Sequence, residues 1–392
     1  MNICAIITEY NPFHAGHAYQ IEGVRRRLPD CAVISLMSGN YVQRGEPAIW
    51  DKYLRAACAV DAGGPDLVLE LPLTAALSSA EGFAQGGIHL AAALGCVTHL
   101  SFGCETGTEE YLMQLAACLN TDEFSARLRA LLPNSASYAH AAAAAAQELC
   151  PQAASLLDSP NDLLAVQYCR FLQQICPGVQ PIAVRRRGAA HDGTPEDGIP
   201  SASHVRRLLR AGRADEAFDL LPSACRERGS VARRHSWDDL ASAVLPYLRR
   251  LTPEDIRALP GVSEGLENRF YQACQKAQTL DELWDRVRSR RHPLSRVRRL
   301  VLCAYLGITQ ELTALPPAFV TVLAMNTRGR EVLRTMKQTC SLPVIVKPTQ
   351  ARTLTGTAAR LWNLTLSADD QFYFPAPAGT SWTQTPFYRR PY

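Results

Sequence analysis

The sequence predicts an α/β protein: a Rossmann-like parallel sheet with helices on both faces, followed by a mainly α-helical domain. Three observations predict it. Short apolar, β-branched runs alternate with helical patterns over the first hundred residues, as in βαβ units. A histidine motif sits where the first strand passes into the first helix. Beyond about residue 212 the apolar spacing becomes almost wholly helical.

In chain order, residues 3–7, 32–37 and 66–71 read as buried strands, with 97–102 as a fourth. Helical stretches at 17–27, 52–62 and 80–94 lie between them. Residues 112–132 and 137–149 continue as helices, the second holding a run of six alanines, the best helix former. A helix at 162–176 and a strand at 180–184 follow. The second half reads as helices at 238–251, 264–277, 280–289, 294–306 and 329–339, a late strand at 344–347, and a Pro/Gly-rich end after Gln371. The expected division is 1–211, a catalytic α/β domain; 212–370, a mainly helical domain; and 371–392, a tail or extension. A chain of 392 residues exceeds one ordinary core.

Composition narrows the function classes. With 47% hydrophobic and 20% charged residues the chain is globular. Residues 2–8 lack a basic leader and the apolar runs are too short to span a bilayer, so the expected location is the cytoplasm. Thirteen cysteines occur singly without a CxxC pair, which reads as reduced thiols and gives no metal site. Residues 1–150 hold 8 Lys and Arg against 15 Asp and Glu, whereas 151–392 hold 33 against 22. The second half is therefore strongly basic, as a polyanion partner would require, although a basic half can also simply offset an acidic one.

The main chemical motif is Ile7-Thr8-Glu9-Tyr10-Asn11-Pro12-Phe13-His14-Ala15-Gly16-His17-Ala18-Tyr19-Gln20. It follows a buried strand and opens a helix, where parallel sheets present ligands. His14 and His17, three apart, share a face of the first helical turn; Gly16 lets a nucleotide approach the backbone; and the helix start offers N–H groups to phosphate. This suits attack at an α-phosphate, with imidazole N–H donors stabilising the charge that develops. The plain alternative is a helix start with buried histidines. No GxxxxGK[ST] P-loop is present.

Three further segments support it. Pro200-Ser201-Ala202-Ser203-His204-Val205-Arg206 opens a helix with two hydroxyls and a cation one turn on, either as a simple cap or to hold the β- and γ-phosphates. Asn40, Gln43, Arg44 and Glu46, after the second strand, are a candidate lining for a second substrate or a plain turn. Seven arginines fall between 286 and 299, among them Arg290, Arg291 and Arg298; they form either a track for RNA phosphates or a solvated face paired with Asp281, Glu282 and Asp285.

With these residues in view, the chain resembles the bacterial tRNA(Met) cytidine acetate ligases. The similarity runs almost end to end through TEYNPFHAGH, MSGNYVQRGEPAIWDK, DLVLELP, SFGCE, SPNDLL, RRRGAAHD, SASHVR, GLENR and VRSRRHPLSRVRRL. Ala15 stands where the family more often has Asn, and the stretch before His191 is one residue shorter. The resemblance implies a nucleotidyltransferase-like domain that activates acetate with ATP and converts the wobble cytidine of elongator tRNA(Met) to N4-acetylcytidine, with Mg2+ accompanying ATP. It further implies ATP contacts from residues 7–20, Gly103, Asn161, Arg186 and Arg187. Gly103 and Asn161 can equally serve as a turn and a helix cap. A small-molecule adenylyltransferase is the alternative, since it uses the same phosphate machinery but leaves the basic half idle.

Overall fold

The fold is described from a computed structural model, which covers residues 1–187, 199–263, 265–374 and 387–388. Gly188 and His191 of the RRRGAAHD segment, and most of the stretch after residue 374, lie outside the described residues.

The strands, in chain order, are β1 (Ile3–Thr8), β2 (Ala32–Ser38), β3 (Tyr41–Val42), β4 (Glu46–Pro47), β5 (Leu67–Leu71), β6 (His99–Cys104), β7 (Gln180–Arg185), β8 (Val320–Met325), β9 (Val344–Ile345) and β10 (Phe387–Tyr388). In space the main sheet runs β10-β8-β5-β2-β1-β6-β7, with β9 on β8; β3 and β4 form a separate hairpin. The pairs from β5 through β7 are parallel. Chain order reverses at β1, with β2 on one side and β6 on the other, which makes their carboxyl ends the expected crevice for a ligand.

β1 is buried along its whole length because both faces are covered. Ile3, Ala5 and Ile7 face a core shared with the helices Ala80–Leu94, Glu109–Leu119 and Pro160–Ile175. Cys4 and Ile6 face the opposite core with the helices Ala15–Arg27, Lys52–Asp61 and Ala202–Arg210. A separate core joins the helices of residues 237–306 to Tyr41, Leu73 and Leu77 of the sheet region and to Ala368 and Phe372. All thirteen cysteines are free thiols. No helix among the described residues is long and apolar enough to cross a membrane.

The structure corrects or refines the expectations at four points. The helix read at 112–132 is two helices, Glu109–Leu119 and Asp122–Leu131; Thr121 Oγ1 accepts the Phe124 N–H at 3.1 Å and starts the second. The mainly helical second half also contributes a strand not expected from the sequence, β8, which enters the main sheet antiparallel to β5. The segment after Gln371 is not wholly a tail, since the helix Gly356–Tyr373 ends just inside it and the β10 backbone pairs parallel with β8. Finally, Arg290 and Arg291 lie in a loop between the helices Leu280–Val287 and Leu294–Leu306.

The terminal helix is tied into the sheet by buried charge. Lys52 Nζ donates to Glu70 Oε1 at 2.8 Å and to Asp369 Oδ2 at 2.7 Å, and Asn40 Nδ2 donates to Asp369 Oδ1 at 2.7 Å. Burial raises the Asp369 carboxyl to about 6, against the pull of Lys52.

Candidate active site

The motif loop leaves β1 through Tyr10, whose φ of 43° is unusual for a side-chain-bearing residue. Burial of the Tyr10 ring holds it there, with its hydroxyl 2.7 Å from Ser35 Oγ. His14 is then the N-cap of the helix Ala15–Arg27. Its Nδ1 accepts the Gly16 N–H at 3.0 Å, and His17 Nδ1 accepts the His14 N–H at 3.2 Å. A backbone N–H can only donate, so both rings carry their proton on Nε2. Burial, followed by nearby Arg186 and Arg206, lowers His14 to about 3; burial and then His14 itself hold His17 well below the usual imidazole range. At neutral pH both are uncharged donors. Their centroids lie 4.0 Å apart, with Tyr10 and Phe13 packed against His17 at 4.9 and 5.6 Å.

These histidines open on a cleft of about 470 Å³ lined also by Gly16, Tyr19, Gln20, Gly103, Arg186 and Arg187. It lies at the reversal between β1 and β6. Gln20, on the helix Ala15–Arg27, donates to β6, its Nε2 3.3 Å from Ser101 Oγ. Gly103 ends β6 beside Arg186, whose Cγ would lie 3.2 Å from a Cβ at that position. Arg186 Nη1 donates to Asn161 Oδ1 at 3.3 Å, and the Arg187 guanidinium lies over the Tyr19 ring at 5.2 Å. Thus Gly103, Arg186 and Arg187, distant in the chain, meet at one cleft, with Asn161 reaching it only through Arg186. Asn161 is not the helix cap: Ser159 Oγ accepts the Asp162 N–H at 3.3 Å.

Ile7 and Thr8 end β1, and Ala15 and Ala18 lie in the first turns of the helix. Glu9 turns away from the cleft, its Oε1 accepting the Gln43 N–H at 2.8 Å; burial raises its carboxyl against the pull of Arg206 and Arg44. Asn11 Oδ1 accepts the Ile49 N–H at 2.8 Å. Pro12 and Phe13 are buried.

Ser201 caps the helix Ala202–Arg210, accepting the His204 N–H at 3.2 Å. Buried Arg206 reaches back to the motif, its Nη1 donating to the Asn11 carbonyl at 2.7 Å and its Nη2 lying 3.1 Å from Glu46 Oε1 and 3.4 Å from Ser203 Oγ. Ile199 and Pro200, just before this helix, line the histidine cleft, while Ser203 and Arg206 face an adjoining groove with Arg44 and Arg298. Asn40 stands apart from both. Its amide is spent on Asp369 and on the Lys52 N–H, which it accepts at 2.8 Å. Gln43 contributes its backbone, the carbonyl accepting from Arg299 Nη1 at 2.8 Å. Arg290 and Arg291 are exposed, with no ion pair among the described residues.

Two supporting residues escape sequence reasoning. Arg55, fully buried, donates to the carbonyls of Glu9, Ser38 and Gly39, pinning together the loops that leave β1 and β2. Asp162 accepts the N–H groups of Glu105 and Thr106 at 2.7 and 3.0 Å and shapes the loop after Gly103. Neither has a local signal, because each partner is distant in sequence.

Residues 1–384 match the HIGH Nucleotidyl Transferase family. The chain is 33% identical over 376 residues to the tRNA(Met) cytidine acetate ligase of Alkaliphilus metalliredigens, covering 89% of this chain and 88% of the relative. For the Clostridium kluyveri enzyme of the same name it is 34% over 368 residues, covering 88% and 90%. The chain belongs to the tRNA(Met) cytidine acetate ligase family. The solved structures agree: Thermotoga maritima TmcAL, both apo and bound with alpha-thio ATP, superposes over the whole of both chains with TM-score 0.92 at 27% identity. The chain carries both motif histidines, with Ala15 and Gly16 between His14 and His17.

Proposed function

We propose that the histidine cleft binds ATP and activates acetate as acetyl-adenylate, whose acetyl group then passes to N4 of the wobble cytidine of elongator tRNA(Met). The observation that carries this reading is the pair of neutral imidazoles, both with Nε2–H free of the backbone, on one cleft with Gly103, Arg186 and Arg187, the Arg186 guanidinium being held by Asn161. The chain is a ligase by family.

Acetate is resonance-stabilised and does not acylate an amine unaided. In the first step its oxygen attacks the α-phosphorus of ATP, a new P–O bond forms, and the bond to pyrophosphate breaks. Charge grows on the α-phosphoryl oxygens and on the leaving pyrophosphate. His14 and His17 donate there without first having to lose a proton, while Arg186 and Arg187 hold the nucleotide. Arg206 fixes the Asn11 carbonyl and so the motif loop; it is a positioning residue in this geometry, as is Ser201. In the second step the cytidine amine attacks the acetyl carbonyl, AMP leaves, and the amine sheds a proton. No protein nucleophile is needed.

Magnesium fits as a companion of ATP. Among the described residues no three His, Cys, Asp or Glu gather into a metal site, so the ion would come on phosphate oxygens. The exposed Arg290 and Arg291 are candidate RNA contacts, with residues 212–370 as the RNA-facing part and 1–211 as the catalytic part. A cytoplasmic location follows from the substrate.

The test is ATP–pyrophosphate exchange with and without acetate, followed by mass analysis of tRNA(Met) supplied with either labelled acetate plus ATP or labelled acetyl-coenzyme A. Acetate-dependent exchange and label from the first mixture alone support the reading. Efficient transfer from the thioester would overturn it.

A further inference from the structure

We propose that the groove between the helices Ala202–Arg210 and Leu294–Leu306 is the seat of the RNA sugar-phosphate backbone next to the reacting nucleotide. This rests on the acetate-ligase reading and adds a binding surface to it.

The groove has a volume of about 1160 Å³, and Arg44, Arg206, Arg207, Arg210 and Arg298 line it against a single carboxylate, Glu46. Five cations facing one acid call for a polyanion. Glu46 does not neutralise them so much as orient two of them, its oxygens lying 3.1 Å from Arg206 Nη2 and 3.2 Å from Arg210 Nη2. Among the described residues the Nε atoms of Arg206 and Arg298 are buried without a hydrogen-bond partner, so neither guanidinium is fully paired by the protein.

Its floor is fixed by close packing. Gly45 adopts φ of +72°, and a Cβ there would lie 2.4 Å from the Arg299 nitrogen, so the loop after β3 lies directly on the Leu294–Leu306 backbone. Arg44 and Arg298 are brought to one site from chain positions 254 residues apart.

The ligand's phosphate could belong to an RNA strand or to the triphosphate of ATP. RNA is favoured by size and continuity. The histidine cleft, of about 470 Å³, shares no lining residue with this groove. Instead the groove continues through Glu46, Arg210 and Arg298 into a second one of about 1150 Å³, where Ser236, Asp238, Gln278 and Asp281 line the wall; its carboxylates suit the amino and hydroxyl donors of a base or ribose and not a phosphate. A chain of alternating phosphates and bases fills two such grooves in series, which one triphosphate cannot do.

The test uses the full chain and unmodified tRNA(Met) transcript. Ser295 lines the groove but belongs to neither step of the chemistry, so Ser295→Glu introduces a repelling charge. Binding of fluorescent tRNA is followed by anisotropy from about 50 to 200 mM salt, where phosphate contacts dominate. Acetate-dependent pyrophosphate exchange is measured alongside. Ser295→Glu should weaken RNA binding by at least about tenfold while KM for ATP stays within about twofold of wild type; Arg210→Ala should reduce the salt slope by about 0.7–0.9, one lost phosphate contact. Unchanged RNA affinity in both variants would overturn the assignment. So would a raised KM for ATP in Ser295→Glu, which would give the groove to the triphosphate. Exchange that ignores acetate in the wild type would instead strike the acetate-ligase reading and leave the RNA-binding comparison intact.

Discussion

His17 Nδ1 accepts the backbone N–H of His14 at 3.2 Å, so the residue proposed to face the nucleotide also closes the first turn of its own helix. The two roles have different magnitudes. A lost backbone hydrogen bond costs about 1 kcal/mol of stability, whereas a lost transition-state donor costs about 100-fold or more in turnover. His17→Ala should therefore cut acetate-dependent exchange at least about a hundredfold with a small shift in melting. Near-full activity would remove His17 from the mechanism.

Gly16 is dictated by the same turn. A Cβ at this position would lie 2.8 Å from His14 Cε1, too close to be tolerated without moving the ring. Gly16→Ala should lower exchange by at least about tenfold and destabilise by about 1–3 kcal/mol, as overpacking does. Retention of both rate and stability would show that the ring has room to shift.

The neutral imidazoles give a pH signature. An unfolded imidazole protonates near pH 6.5, whereas folded His14 does so near 3. Between those values the unfolded chain binds the extra proton, so the contribution to stability is complete above about 6.5 and is lost as pH falls toward about 3. His17 acts in the same direction. Urea midpoints measured at about pH 7.5 and 5 should fall more in wild type than in His14→Gln. Equal falls would mean the ring is not held neutral.

Lys52 serves two buried carboxylates, Glu70 and Asp369. Lys52→Met would leave both without their cation, and breaking a buried pair in this way costs about 3–5 kcal/mol. Denaturant unfolding should register that loss; less than about 1 kcal/mol would mean water or a protonated Asp369 relieves the site.

Arg290 and Arg291 test the proposed RNA-facing part outside the groove. Reversing both to Glu should lower acetylcytidine formation at least about tenfold at moderate salt while acetyl-adenylate synthesis persists. Equal loss of both steps would indicate damage to the fold.

Most of the α/β framework was legible in the sequence, because buried parallel strands appear as short apolar runs bounded by turns. The strand starting at Gln180 and the helix Ala80–Leu94 were found on that basis. Val320–Met325 was missed because a six-residue apolar run amid helical spacing carries no period of its own. The helix Gly356–Tyr373 was missed too: Asn363, Thr365 and Ser367 are weak helix formers, and tertiary burial of Leu361, Asp369 and Phe372 overrides their preference. The histidine turn was legible since its geometry is local. Arg55 and the use of Asn40 as a clamp on Asp369 were not, because each depends on partners that only the fold brings near.

The placement of β8 also governs how the molecule can be divided. This strand arrives some 250 residues after β5, yet it covers the side of β5 that would otherwise be an open edge. A fragment ending at residue 211 would keep the histidine turn but expose the unpaired backbone of β5, an invitation to pair with another copy and aggregate. During synthesis the half-built sheet must likewise wait for β8, so β5 keeps an open edge until that segment emerges.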